Sequence, residues 1–288
     1  MARFTLFRQI HTLLATMLLV LISHASFANE PALSVQLFDC GTILARDASI
    51  FNPNMKKNTP KLMANTCYLV KHPKGVLLWD TGLNDQIANQ VDGIEAFDGA
   101  IHLTLNTPLQ IQLANAEITP DDVAYIAMSH LHMDHTGNAN LFANAKWLVQ
   151  STEHQIAVSK QAANYGFTPQ DYQNLKQVKL LAGDYDVFGD GRVKIISTPG
   201  HSPGHQSLFL DLKHYGPVLL SGDLYHFERN RLEKAVPIFN NVEESQKSFT
   251  KIDQFLEATG SALWIQHDYE QFHLLMMGGS GKNKGVYF

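Results

Sequence analysis

Ser129-His130-Leu131-His132-Met133-Asp134-His135-Thr136-Gly137-Asn138 sets four potential metal ligands within six residues. The segment follows an apolar, β-prone run, Tyr125 to Met128, so its side chains emerge at the C-terminal end of a strand. Alternation along an extended loop puts His130 and His132 on one side, where two imidazoles can share one ion. Asp134 and His135 then turn into the next helical segment, where a carboxylate and a third imidazole can serve a second ion. Burying such groups unpaired would cost several kcal/mol, which makes a purely structural role for all four hard to sustain.

One segment cannot complete two metal sites, so further ligands are required. Three later apolar runs each end in a candidate: Val193 to Ser197 leads into Thr198-Pro199-Gly200-His201, Val218 to Leu220 into Ser221-Gly222-Asp223, and Leu263 to Ile265 into Gln266-His267-Asp268. Singly, each would be an ordinary turn residue. Their shared position at strand ends sets them apart.

Composition agrees with a metal held by histidine and carboxylate. The chain has 288 residues, 45% hydrophobic and 17% charged, the balance of a folded globular protein. Fourteen histidines are available, but two cysteines cannot build a four-thiolate zinc or iron-sulfur site. The formal net charge of -5 offers no general attraction to nucleic acid.

Residues 1–28 resemble an export signal, with Arg3 and Arg8 ahead of the apolar stretch Leu13 to Ile22 and Ser26-Phe27-Ala28 before a cleavage point. The apolar stretch is short of the roughly 20 residues a membrane span needs. A single domain over residues 29–288 is therefore expected, exported to the periplasm or secreted, with no stable membrane anchor. Its 20 basic and 27 acidic residues give a net of -7. Cys40 and Cys67 lie in apolar strand-like runs, where buried free thiols are the plainer expectation; export makes a disulfide chemically permissible.

Strand and helix signals alternate along the chain, as in an α/β or α+β core of sheets covered by helices. Further strands are expected at Leu33 to Phe38, Thr66 to Val70, Val76 to Trp79, Lys146 to Gln150 and Leu208 to Leu212. A helix is expected over Asn241 to Ala258, with Val242, Phe249, Ile252 and Leu256 near one face and Gly260 as its stop. Residues 45–62 and 84–110 are the least regular and are either walls of a pocket or plain surface connections.

The set His130, His132, Asp134, His135, His201, Asp223 and His267, with Phe38-Asp39-Cys40-Gly41 and Leu78-Trp79-Asp80-Thr81-Gly82, resembles the metallo-β-lactamase superfamily, and within it most nearly the dinuclear-zinc N-acyl homoserine lactonases. The resemblance implies an αββα sandwich. It places a first Zn2+ on His130, His132 and His201, a second on Asp134, His135 and His267, and Asp223 between them; Co, Mn or Fe could replace zinc. It also implies a small-molecule lactone substrate, attacked by a hydroxide shared between the metals, with Asp134 passing the proton to the departing ring oxygen.

Within the superfamily, Asp223 sets the chain apart from the true β-lactamases, which lack that bridge. Only 21 residues follow His267, fewer than the helical domain of glyoxalase II requires. Hydrolysis of another ester, a thioester or a β-lactam is the alternative, and a non-catalytic metal-binding protein the third reading. The chain departs from the lactonase pattern three residues after Asp223. A tyrosine that contacts the substrate carbonyl is expected there, but the residue is His226, with Tyr225 beside it. Either could face the developing oxyanion. Asp80 and Asp268 are candidate partners for ligand-histidine ring nitrogens, and Ile50, Phe51, Met55, Met63 and Leu105 for an acyl chain. A homodimer is left open.

Overall fold

The molecule is described from a computed structural model, which covers residues 33–278 and 286–287. The export-signal segment lies outside these residues. The first sheet is built from β1 (Ser34–Ala45), β2 (Lys61–His72), β3 (Gly75–Trp79), β4 (Ile94–Ala96) and β5 (Ile101–Thr104), continued after helix α1 (Leu109–Asn115) by β6 (Val123–Ala127). Helix α2 (Met133–Thr136) then leads to β7 (Lys146–Gln150), and helix α3 (Ser151–Ala157) to β8 (Gln177–Leu181). Their order across the sheet is β4-β5-β1-β2-β3-β6-β7-β8. β1 pairs antiparallel with β2 and β2 with β3, whereas β3, β6, β7 and β8 pair in parallel.

The second sheet contains β9 (Tyr185–Asp186), β10 (Val193–Ser197), β11 (Gln206–Leu212) and β12 (Gly216–Leu220). Helices α4 (Glu228–Glu233) and α5 (Val242–Thr259) follow, and β13 (Ala262–Trp264) joins the sheet parallel to β12. Helix α6 (Tyr269–Gly278) comes next, and the short β14 (Val286–Tyr287) pairs with β1.

Period-two alternation makes both faces of both sheets apolar. Tyr68, Val70, Leu77 and Trp79 of the first sheet meet Val193, Ile195, Leu208, Leu210, Val218 and Leu220 of the second in one inter-sheet core. The intervening residues Cys67, Leu69 and Leu78 turn outward against Leu109 and Leu113 of α1. Ile196, Phe209 and Leu219 turn outward on the other side, against Phe249 and Ile252 of α5. The result is the expected four-layer order of helix, sheet, sheet and helix. Helix α5 is capped as its sequence requires: Asn241 Oδ1 accepts from Glu244 N at 3.0 Å, and Gly260 stops it at φ +65°.

Three expectations are corrected. Val242 is exposed and does not share the buried face of α5, because it occupies the first helical position, ahead of the turn that meets the sheet. Residues 84–110 are more regular than expected. The β4-β5 hairpin extends β1 beyond the irregularity between Asp39 and Thr42, pairing Thr42 with Thr104 and Ala45 with Ile101. Cys40 and Cys67 are bonded to each other, since β1 and β2 are neighbouring strands that bring their Cα atoms within 5.8 Å.

The Cys40–Cys67 bridge closes a loop of 27 residues. Replacing both cysteines with alanine should therefore lower the free energy of unfolding by about 2–4 kcal/mol, measured by urea denaturation of the oxidised protein. Reduction of the wild-type protein should reproduce the loss.

Candidate metal centre

Five strands of the two sheets end at one edge of the sandwich: β3 before Asp80, β6 before Ser129, β10 before His201, β12 before Asp223 and β13 before His267. Each connecting segment is tied down locally. Thr81 N and Oγ1 donate to His135 O at 2.8 and 2.9 Å, and Asn138 Nδ2 donates to Thr81 O and Leu83 O at 2.8 Å each. Asn65 Nδ2 donates to Asp134 O at 2.7 Å. Gly200 turns the chain at φ +141°, where a Cβ would lie 2.5 Å from Ser245 Oγ, so helix α5 packs directly against the turn presenting His201.

All seven candidate ligands converge. His130 Nε2, His132 Nδ1 and His201 Nε2 form a triangle with edges of 2.8, 3.0 and 3.0 Å. Asp134 Oδ2 lies 3.6 Å from both His135 Nε2 and His267 Nε2. Asp223 stands between the two groups and divides its oxygens. Oδ2 faces His201 Nε2 at 3.4 Å, and Oδ1 faces His135 Nε2 at 3.3 Å and His267 Nε2 at 3.0 Å.

The outward ring nitrogens are already occupied. His132 Nε2 donates to Tyr165 O at 3.0 Å, His267 Nδ1 to Ala64 O at 2.7 Å and His201 Nδ1 to Asn240 Oδ1 at 3.1 Å. His135 Nδ1 lies 3.2 Å from Asp80 Oδ2, and His130 Nδ1 lies 3.2 Å from Ser129 Oγ. In the group of His130, His132 and His201, where burial favours the neutral ring, the outward proton leaves the inward nitrogen a bare lone pair. Three lone pairs in a triangle cannot satisfy one another, because a proton on any one leaves the other two opposed. His135 Nε2 and Asp223 Oδ1 are sealed from solvent without a well-formed hydrogen bond. Nitrogen and oxygen donors in these two sets are the chemistry that suits zinc and similar divalent ions.

The charges follow the same division. Burial holds His130 and His201 well below the usual imidazole range and lowers His132 as well, which favours the neutral form of all three rings. At His135 burial acts in the same direction, but Asp134, Asp223 and Asp80 outweigh it and hold the ring well above that range. Asp223 stays ionised, because the surrounding imidazoles overcome the burial that would raise it. The second group thus gathers positive charge between two carboxylates, where a cation fits.

Asp80 sits as expected, also accepting from Ser129 N at 2.7 Å, and holds the left-handed conformation at φ +58°. Asp268 does not touch His267. Its carboxylate accepts from Gln271 N at 2.8 Å and Glu228 N at 2.7 Å, starting helices α6 and α4. Tyr225 and His226 part company. Tyr225 is fully buried, stacks on Phe249 with centroids 4.8 Å apart and accepts from Arg231 Nη1 at 3.3 Å, on the outer side of the second sheet. The extended backbone at Tyr225 sends successive side chains to opposite sides, so Tyr225 is withdrawn as a catalytic candidate. His226 Nε2 faces Asp223 Oδ2 at 3.3 Å, and its Nδ1 is buried without a partner.

His205 supports the centre from behind. Its Nε2 accepts from Asp223 N at 2.9 Å, so Nδ1 carries the proton and donates to Thr198 O at 2.9 Å. Asn240 and the carbonyls of Tyr165 and Ala64 escaped notice in the sequence, since a backbone carbonyl carries no residue signal. The centre opens into a cleft of about 520 Å³. Ile43, Ile50, Phe51, Met63, Phe97 and Leu103 form its apolar wall, while Met55 and Leu105 belong to the cluster behind it.

The metallo-β-lactamase superfamily model matches residues 61–259, and the chain belongs to that superfamily. It is 31% identical to N-acyl homoserine lactonase AiiA of Bacillus thuringiensis subsp. kurstaki over 213 residues, 71% of this chain and 81% of the relative. It is 30% identical to N-acyl homoserine lactonase AttM of Azorhizobium caulinodans, over 70% of this chain and 80% of that one. A solved N-acyl homoserine lactone hydrolase with N-hexanoyl-L-homoserine at its catalytic metal centre superposes with a TM-score of 0.74 at 26% identity, covering 84% of this chain and 96% of that one. The chain is a metal-dependent hydrolase type related to these lactonases, with a buried histidine-carboxylate cluster at its centre.

Burial lowers His205 to about 4 from an ordinary value of 6.5. The folded state therefore resists the proton that the unfolded chain accepts. The associated stability is complete above pH 6.5 and is lost as pH falls toward 4, on the order of 3 kcal/mol. Denaturation of metal-free protein across this window should show the slope, and His205→Gln should make it shallower, leaving the share that buried His130 and His201 contribute.

Proposed function

We propose that this chain is a dinuclear-metal lactonase that opens the ring of N-acyl homoserine lactones. The observation that carries the reading is the pair of converging ligand groups around Asp223, with every outward histidine nitrogen engaged, at the head of a cleft whose far wall is apolar. His130, His132 and His201 would hold one Zn2+, Asp134, His135 and His267 the other, and Asp223 both. Two such ions supply a water deprotonated near neutral pH and a Lewis acid for the ester carbonyl.

The remaining roles belong to the protein. The apolar wall takes the acyl chain, and the half-buried Asp134 carboxylate at the cleft carries a proton to the departing ring oxygen. His226, lining the same cleft beside Asp223, directs Nε2 toward the charge that develops on the carbonyl oxygen. The structural relative holding N-hexanoyl-L-homoserine supports this substrate class, since that molecule is the ring-opened product. We further propose export to the periplasm or medium, supported by the residue 1–28 pattern and by the Cys40–Cys67 disulfide.

The test is hydrolysis by zinc-loaded residues 29–288 of short- and long-chain acyl homoserine lactones, a chromogenic cephalosporin and a glutathione thioester, each with and without chelator. Chelator-sensitive opening of the lactones is expected; cleavage of only the cephalosporin or thioester would overturn the substrate assignment. Asp223→Ala should lower bound metal below two ions per chain and reduce kcat/KM by about a thousandfold.

The adjacent pair separates in the same assay. His226→Ala should reduce kcat by about 10- to 100-fold with little change in KM, while Tyr225→Phe should stay within about threefold of wild type. Equal, small losses would remove His226 from the mechanism.

A further inference from the structure

Glu153, in the first turn of α3, is only 1% exposed, yet among the described residues no cation pairs with it. Its Oε1 accepts from Leu131 N at 3.3 Å and from Ser202 Oγ at 2.7 Å, and its Oε2 accepts from Gly204 N at 2.7 Å. Leu131 lies between His130 and His132, and Ser202 follows His201. One carboxylate therefore joins the loop after β6 of the first sheet to the loop after β10 of the second.

We propose that Glu153 is a positioning residue that clamps these two loops together and so sets the affinity of the three-histidine ion site. The proposal rests on the dinuclear-metal reading above but not on the substrate. The clamp is close-fitting: a Cβ on Gly204 would lie 2.5 Å from Glu153 Cβ, so the turn after His201 is pressed onto the start of α3. It is also chemically specific. Each carboxylate oxygen faces a backbone N–H, and an acceptor-only group answers both, whereas an amide would set its own NH2 against one of them.

The carboxylate is an expensive choice for a purely structural filler. Burial outweighs its three hydrogen bonds and raises it to about 7. What the bonds secure is the separation of His130 and His132 from His201, the 3.0 Å edges of the nitrogen triangle. The other ion group does not use the clamp. His135 is held by Asp80 and Thr81, and His267 by Ala64 O. Loss of Glu153 should therefore act on one ion and spare the other.

The test is zinc titration of wild type, Glu153→Gln and Ser202→Ala against a chromophoric chelator, together with visible spectra of the Co2+-loaded proteins. Wild type should bind two ions; fewer would overturn the metal reading itself. In Glu153→Gln, one Kd should rise by about 10- to 100-fold, with a changed Co2+ spectrum, and the other should stay within about threefold. The weakened step should be the one that His132→Ala abolishes. Ser202→Ala, which removes one of the three bonds and leaves the carboxylate, should shift the same step by about 3- to 10-fold. Unchanged affinities in both variants would overturn the proposal even if melting temperature fell, as would equal loss of both ions. If Glu153→Gln does not fold, Ser202→Ala decides alone, and an unshifted Kd in it overturns the clamp.

Discussion

The structure is organised around one electrostatic constraint: the inward nitrogens of five imidazoles and two carboxylates converge on a volume sealed from most solvent. Left to themselves these groups repel or go unsatisfied, and the fold must hold them there against that tendency. The two-sheet core supplies the rigidity. Strands from both sheets end at one edge, and the inter-sheet packing of Trp79, Leu208 and Leu220 fixes where those ends lie. Asp223 is the point where the halves meet, because its carboxylate faces His135 from the first sheet and His201 and His267 from the second.

Orientation is imposed one atom behind the ligands. A histidine is a defined donor only when its other nitrogen is committed, and the commitments here come from carbonyls, a carboxylate, an amide and a hydroxyl spread along the whole chain. His205 extends the pattern to the backbone, holding the Asp223 N–H rather than a side chain. His226 breaks it. With Nδ1 buried and unpartnered, no second group fixes the position of its ring proton.

The ligands were legible in the sequence because each one interrupts an apolar strand run at its end, and that pattern survives without knowledge of contacts. The strands themselves were legible for the same reason: Lys146–Gln150 and Val193–Ser197 stand where their alternation put them. Contacts made across the fold were not legible. Asp268 looked like a histidine partner by adjacency, but adjacency along the chain says nothing about which way a turn directs a carboxylate. Tyr225 and His226 could not be ranked until the extended backbone showed that one must face the helix layer and the other the cleft. The disulfide depended on β1 and β2 being neighbours, a fact of topology and not of local sequence.

The cleft divides its tasks between parts of the chain that answer to different constraints. The ligand edge is bound by geometry, since a shift of any loop opens the nitrogen triangle or separates Asp223 from one of its groups. The opposite wall is drawn from residues 45–62 and 84–110 together with Ile43 and Met63 of the neighbouring strands, none of which is among the candidate ligands, and most of its apolar side chains belong to one cluster. At its tip Phe97 is 65% exposed and held at φ +52°, a left-handed conformation costly for a bulky side chain. A hairpin that places an aromatic there, over the mouth of the cleft, spends local stability on the shape of the opening. The placement of the candidate ligands is therefore a property of the strand ends, and the shape of the opening a property of the wall that faces them.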